Sequence, residues 1–132
     1  PRNKKVNFDK LELKRIDYKS SGGKEIFLSL EHEDTLLAFL RLRKPFKPFR
    51  SEITPNSVGI RELHTYGQAT HIKGEGSIQH KGLGKRLMEE AEKIAKEEFQ
   101  ADKILVISGI GVKEYYRKLG YEEDGVYLSK KL

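Results

Sequence analysis

Over residues 81–99 the apolar side chains fall at Leu83, Leu87, Met88, Ala91, Ile94, Ala95 and Phe99. That three-and-four spacing gathers them on one face of a helix. Lys85, Arg86, Glu89, Glu92, Lys93 and Lys96 occupy the opposite face, and Glu89 with Lys93 and Glu92 with Lys96 stand in the favourable i,i+4 order. Such a helix packs one side on a sheet.

The segments on either side supply that sheet. Residues 11–19, 25–33 and 35–43 are rich in β-branched, aromatic or Leu residues with partial alternation, which predicts three strands. Ser20-Ser21-Gly22-Gly23 separates the first two and Glu33-Asp34 the next two, so they form an antiparallel meander. Residues 44–56 hold three of the four prolines and read as a connection, because proline cannot donate to a sheet ladder. Residues 57–66 predict a fourth strand, followed by a polar loop over 67–77. Ile104-Leu105-Val106-Ile107 within 103–108 fits a strand covered on both faces and hence a parallel one. Strand 57–66, helix 81–99 and strand 103–108 therefore make a βαβ crossover. A short helix over 111–118 and a last strand near 126–130 complete one α+β unit spanning residues 1–132, a mixed, mostly antiparallel sheet with helices on its faces.

Composition narrows the chemistry. No stretch approaches the ~20 apolar residues of a membrane span, and the charged start has no signal-peptide character, so the expectation is a cytoplasmic protein. The 132 residues include no Cys, which excludes thiolate metal sites, iron-sulfur ligation and a Cys nucleophile within this chain. The net charge is +6, and residues 1–50 carry all of it, with 13 Lys and Arg against 7 Asp and Glu; residues 51–132 hold 13 of each. A local basic excess attracts phosphate or simply solvates a surface.

Three motifs carry chemistry. Gln79-His80-Lys81-Gly82-Leu83-Gly84-Lys85 lies where a loop turns into the amphipathic helix, a place where backbone N–H groups lack intrahelical partners and face outward. Glycines at 82 and 84 let a ligand approach, and Lys81, Lys85 and Arg86 add positive charge, so a pyrophosphate is the expected ligand. The third glycine of a dinucleotide fingerprint and the P-loop sequence are both missing, which leaves coenzyme A ahead of NAD or ATP. Arg61-Glu62-Leu63-His64-Thr65-Tyr66 is unusually polar for a central strand. If helix 81–99 splays it from the next strand, its free backbone groups can pair with an amide-bearing ligand such as pantetheine, and Glu62 or His64 can act as a general base or hold a water. The alternative is an edge strand with solvent-facing charges. In Tyr115-Tyr116-Arg117-Lys118-Leu119-Gly120-Tyr121 the adjacent tyrosines cannot share one helical face, so one packs in the core while the other reaches a cleft and offers its phenol to a sulfur or oxyanion. Packing by both is the plainer reading.

Together, a strand, a Q-x-x-G-x-G turn opening a helix, a buried strand and a Tyr-bearing helix ending in Gly-Tyr resemble the GNAT acetyltransferases. The segments FLSLEHEDTLLAFLRLRK, IRELHTYG, QHKGLGKRLMEEAEKIAKEE, KILVISGIGVKEYYRKLGY and VYLSKKL are similar to the C-terminal acetyltransferase-like domains of Elongator catalytic subunits, of archaeal type. The resemblance implies that Glu62, Leu63, His64 and Thr65 line the thioester and pantetheine arm, that Gln79, Gly82, Leu83, Gly84 and Lys85 cradle the pyrophosphate, and that Tyr116 sits near the acyl sulfur, with Tyr116, His64 and Glu62 as the catalytic set. It implies acetyl-coenzyme A as cofactor and tRNA as partner. It also implies a fragment of a larger enzyme whose radical S-adenosylmethionine domain, absent here, carries a 4Fe-4S cluster and builds carboxymethyl-type modifications on the wobble uridine, number 34. The two helices that many members place after the first strand have no room at the Ser20–Gly23 turn, so the acceptor side is open. A free-standing acetyltransferase of protein lysine or small amines is the alternative, and an RNA-binding module with a degenerate acyl site is a third.

Overall fold

The computed structural model of the chain describes residues 11–44, 56–66, 76–107 and 112–132, with residues 76–81 described by backbone alone. Among the described residues seven strands form one sheet: β1 (Glu12–Ser20), β2 (Gly23–His32), β3 (Thr35–Lys44), β4 (Ser57–Thr65), β5 (Lys103–Val106), β6 (Glu122–Asp124) and β7 (Tyr127–Lys131). Two helices, α1 (Gly76–Phe99) and α2 (Lys113–Lys118), complete the order. The strands lie in the sequence β1-β2-β3-β4-β5-β7-β6, and only the β4–β5 pairing among them is parallel. This is the mixed, mostly antiparallel sheet with a central crossover that the sequence predicts.

Local chemistry explains the meander. Ser21 and Gly22 both have positive φ, 49° and 77°, as do Glu33 and Asp34, at 50° and 65°. Two-residue hairpins with two left-handed residues match the twist of the strands they join. The core sits between the sheet and α1, where Leu83, Leu87, Met88, Ala91, Ile94 and Ala95 are buried against Ile26, Leu28, Leu30, Leu40, Leu42, Val58 and Ile60. All six of those helix positions belong to the predicted face. At its end α1 closes with Gln100 in the left-handed region and the Ala101 N–H donating to the Ala95 carbonyl at 2.9 Å, a left-handed cap made without glycine.

Three features differ from the sequence reading. α1 starts at Gly76 and not at residue 81. β6, three acidic residues paired to β7, was not foreseen, because Glu122–Asp124 has no apolar periodicity and is held through β7 backbone pairing. The β3–β4 ladder slips at Arg61, with Leu42 opposite Ile60 but Arg41 opposite Glu62. Among the described residues, no helix is long and apolar enough to cross a membrane.

Candidate functional site

At the slip at Arg61 β4 also leaves its pairing with β5. β4 pairs with β5 from Ser57 to Ile60 and then continues to Thr65, while β5 stops at Val106 and leaves Ile107 57% exposed. Residues 62–65 keep β3 on one side and, among the described residues, have no strand on the other. An extra residue in one strand bends it and increases local twist, the device proteins use to part a ladder beside a functional site. Charge pins the bulge in place. Arg61 Nη1 donates to Glu25 Oε2 at 2.8 Å, and the same carboxylate accepts from Arg43 Nη1 at 2.7 Å and, on its other oxygen, from the Tyr18 hydroxyl at 2.9 Å. Burial pushes the Glu25 carboxyl up, and these three hydrogen bonds more than reverse it, so it is held below its ordinary value.

Into the opening come a helix and a phenol. Gly84 is buried on α1, and a Cβ placed there would collide with the Tyr115 hydroxyl, with the ring Cζ at 3.3 Å and Leu63 Cδ2 at 3.8 Å. The Tyr115 hydroxyl is buried and has no hydrogen-bond partner among the described residues. A buried hydroxyl without a partner costs about 1–3 kcal/mol, so its placement calls for a reason beyond folding. Burial, with the neighbouring Tyr116, pushes its phenol up to about 12. Tyr116 is 7% exposed, meets Tyr115 edge-on at 5.2 Å and Tyr121 at 5.9 Å, and is likewise raised by burial. Both tyrosines are therefore neutral donors near neutral pH. Tyr116, which the resemblance sets near the acyl sulfur, is the more buried of the two, and Tyr115 is the one beside Leu63 and Gly84.

Leu63 is brought to Gly84 and Tyr115, but its neighbours alternate to the other face of the sheet. Glu62 Oε1 lies 3.3 Å from Arg41 Nε, and both side chains are about half exposed. His64 is exposed and stacks on Phe39 at 5.6 Å, with the Tyr66 ring edge-on at 4.7 Å. Glu62 and His64 thus share the open face and stand across the sheet from Tyr115 and Tyr116.

The glycine motif is placed differently from its sequence reading. In a helix that begins at Gly76, residues 82–85 lie beyond the first four amides, so their N–H groups point to carbonyls of the preceding turn and not to a ligand. Leu83 is core, 1% exposed, and the Gln79 side chain lies outside the described residues. What the motif does provide is a groove of about 320 Å³ lined by Gly82, Lys85, Arg86 and Glu89, in which two cations flank the bare Gly82 backbone. Sequence reasoning missed the bulge, although the apolar spacing Val58, Ile60, Leu63 breaks the period of two and signals it. It also missed Glu25 and Arg43, whose pairing joins residues distant in the chain.

The chain matches the acetyltransferase (GNAT) family over residues 3–121. It is 56% identical over 131 residues to the tRNA uridine(34) acetyltransferase of Methanocaldococcus jannaschii, a match that covers 96% of this chain and 24% of that protein. Identity to the Elongator complex protein 3 of Saccharomyces cerevisiae is 51% over 135 residues, with 97% of this chain and 24% of that one covered. Among solved structures, the archaeal Methanocaldococcus infernus Elp3 with an N-terminal deletion has a TM-score of 0.81 at 52% identity, covering 96% of this chain and 31% of its own. The chain thus spans about a quarter of the length of the curated relatives it matches.

Proposed function

The chain belongs to the acetyltransferase (GNAT) family, and from that premise we propose that it is the acetyl-coenzyme A-binding domain of a larger enzyme that modifies uridine 34 of tRNA. The observation that carries this reading is the partnerless Tyr115 hydroxyl, aimed between Leu63 and Gly84 where β4 and β5 part. Similarity over nearly the whole chain to proteins named for tRNA uridine chemistry supports the choice of acceptor.

The residues present fit the coenzyme. Past the end of β5 the edge of residues 62–64 that faces away from β3 has no strand among the described residues, and there the amides of a pantetheine arm would meet its backbone donors and acceptors. Gly82, Lys85 and Arg86 form a groove suited to phosphate, with Gln79 one turn ahead of it and Leu83 anchoring the helix beneath. Tyr115 presents its phenolic O–H beside Leu63, with the Tyr116 ring edge-on against it. When bound, acetyl-coenzyme A supplies an activated acetyl group as a thioester. The chain's part is to orient it, to place a neutral phenol beside its sulfur or carbonyl oxygen, and to keep Glu62 and His64 on the acceptor face as proton acceptors.

The remaining three quarters of the relatives' length would contribute the rest of the reaction. A radical S-adenosylmethionine domain with a 4Fe-4S cluster would lie there, since this chain holds no Cys to ligate one. The test is an acetyl-coenzyme A turnover assay on the 132-residue chain with small amines, a lysine peptide or tRNA as acceptor. Binding without multiple turnover on any amine is expected. Sustained N-acetylation of an amine would instead make this a free-standing amine acetyltransferase.

A further inference from the structure

Helix α2 has few means of holding itself. It is six residues long, its N-cap residue Val112 makes no side-chain cap, and the Glu114–Arg117 pair on its surface is exposed. A helix this short is unstable alone in water, and exposed ion pairs contribute little. Its place is therefore set by what it packs against, and its C-terminal end meets a carboxylate.

Glu92 on α1 accepts from the Tyr121 hydroxyl on Oε2 at 2.8 Å and from Lys130 Nζ on Oε1 at 3.1 Å. Lys130 Nζ also donates to the Leu119 carbonyl at 3.1 Å and lies 5.8 Å from the centre of the Tyr121 ring. Gly120, at φ 96°, makes the turn between α2 and Tyr121 and lies against the Lys130 stem. The Glu92 side chain is 18% exposed, drawn from the solvent face on which its spacing to Lys96 placed it, and it ties α1 to the end of α2 and to β7. Burial, with the Glu92 charge beside it, pushes the Tyr121 phenol up, so it stays a neutral donor to that carboxylate.

Tyr121 passes the constraint on. Its N–H donates to the Tyr116 carbonyl at 3.0 Å, its ring meets Tyr116 edge-on at 5.9 Å, and Tyr116 meets Tyr115 edge-on at 5.2 Å. Helix α1 thus touches the α2 segment at Gly84, against the Tyr115 hydroxyl, and at Glu92, bonded to Tyr121. The two places are ~12 Å apart along its axis. Ring packing alone is non-directional and lets a short helix slide or roll, whereas a hydrogen bond sets both a distance and a direction. A phenylalanine at 121 would fill nearly the same volume, so what the hydroxyl adds is the direction.

We infer that Glu92 is a positioning residue for the coenzyme site: through Tyr121 and Lys130 it fixes α2 on α1, so that the Tyr115 hydroxyl is held against Gly84 and Leu63. What that hydroxyl serves rests on the proposed function; that it is held from Glu92 does not.

Two double-variant cycles on the 132-residue chain test this. The first is urea unfolding of wild type, Gly84→Ala, Glu92→Ala and the combination. Substitutions this far apart with no shared partner act additively, and these two share only α2. Gly84→Ala drives a methyl against a Tyr115 that is held in place. It is expected to raise the unfolding constant ~5-fold in wild type and less than ~2-fold in the Glu92→Ala background, where α2 gives way. The same cycle run with Tyr121→Phe, the mildest cut in the link, keeps the answer readable if Glu92→Ala does not fold. The second cycle measures acetyl-coenzyme A affinity by calorimetry for Tyr121→Phe, Tyr115→Phe and the combination. Tyr121→Phe is expected to weaken binding ~3-fold in wild type and to change nothing in the Tyr115→Phe background, because its effect runs through the Tyr115 hydroxyl. A tyrosine that only stabilises the fold would lower affinity equally in both backgrounds. Additive unfolding effects, or an equal affinity loss with and without the Tyr115 hydroxyl, overturn the positioning role. Non-additive unfolding in a wild type that binds no acetyl-coenzyme A leaves Tyr115 held from Glu92 and counts against the proposed function alone.

Discussion

The Tyr115 hydroxyl occupies the space that a Cβ on Gly84 would need, and it does so without a hydrogen-bond partner among the described residues. The glycine's part in the α1 motif is thus close packing against α2.

Gly84→Ala should report this contact. Alanine gains about 1 kcal/mol of helix propensity, and the forced displacement of Tyr115 costs about 1–3 kcal/mol. A net loss of about 1 kcal/mol in denaturant unfolding is expected. The double variant Gly84→Ala with Tyr115→Phe should recover it, because the colliding oxygen is gone. Equal losses in single and double variants would show that the hydroxyl is not the obstacle.

Tyr115→Phe alone should separate stability from binding. Removing a partnerless buried hydroxyl is expected to raise stability by about 1 kcal/mol, while acetyl-coenzyme A affinity falls several-fold. The pH profile follows from the phenol held up to about 12 against an ordinary 10.0. The native state keeps a proton that the unfolded chain releases above pH ~10, so this contribution is intact below pH 10 and is lost as pH rises from 10 to 12. Thermal melts from pH 9 to 12 should fall less steeply in Tyr115→Phe than in wild type, with Tyr121, also raised by burial, accounting for part of the remaining fall.

Much of the architecture was legible in the sequence, for definite reasons. The α1 face from Leu83 to Ala95, the apolar run of β5 and the two-residue hairpins are local patterns, and local patterns survive folding. The Arg61 bulge was legible in principle from the spacing of Ile60 and Leu63. The burial of Glu25 was not, since its partners Arg43 and Arg61 stand 18 and 36 residues away. Nor was the separation of Glu62 and His64 from Tyr115 and Tyr116, because the motif gives their order and the sheet decides their faces. The start of α1 at Gly76 was hidden by Gly and polar residues that carry no periodicity.

Glu25→Gln should test the anchor beneath the bulge. Glu25 is 1% exposed and satisfies two guanidiniums, and removing one partner from a buried pair costs about 3–5 kcal/mol. Its carboxyl is held below the ordinary 4.5, so the stabilisation is present above pH ~4.5 and is lost as pH falls below it. Urea unfolding at pH 7 and pH 3.5 should show a large gap between wild type and variant at the higher pH that narrows at the lower. A constant gap would mean that charge is not what pins Arg61.

Lys85→Glu places a negative charge in the groove beside Gly82. Because Lys85 is exposed, the fold should hold, with a melting temperature within about 2 °C of wild type. Acetyl-coenzyme A affinity should fall about tenfold and desulfo-coenzyme A affinity equally, since the effect is on phosphate. Unchanged affinity for both would remove Lys85 from the phosphate groove.

The most direct measurement is calorimetric titration of the 132-residue chain with acetyl-coenzyme A, in wild type and in Tyr115→Phe. The account predicts saturable binding of one coenzyme per chain, weakened by loss of the Tyr115 hydroxyl in a protein that remains at least as stable. Binding of equal strength in both proteins, or no binding by the folded wild type, would contradict a coenzyme site built on the parting of β4 from β5.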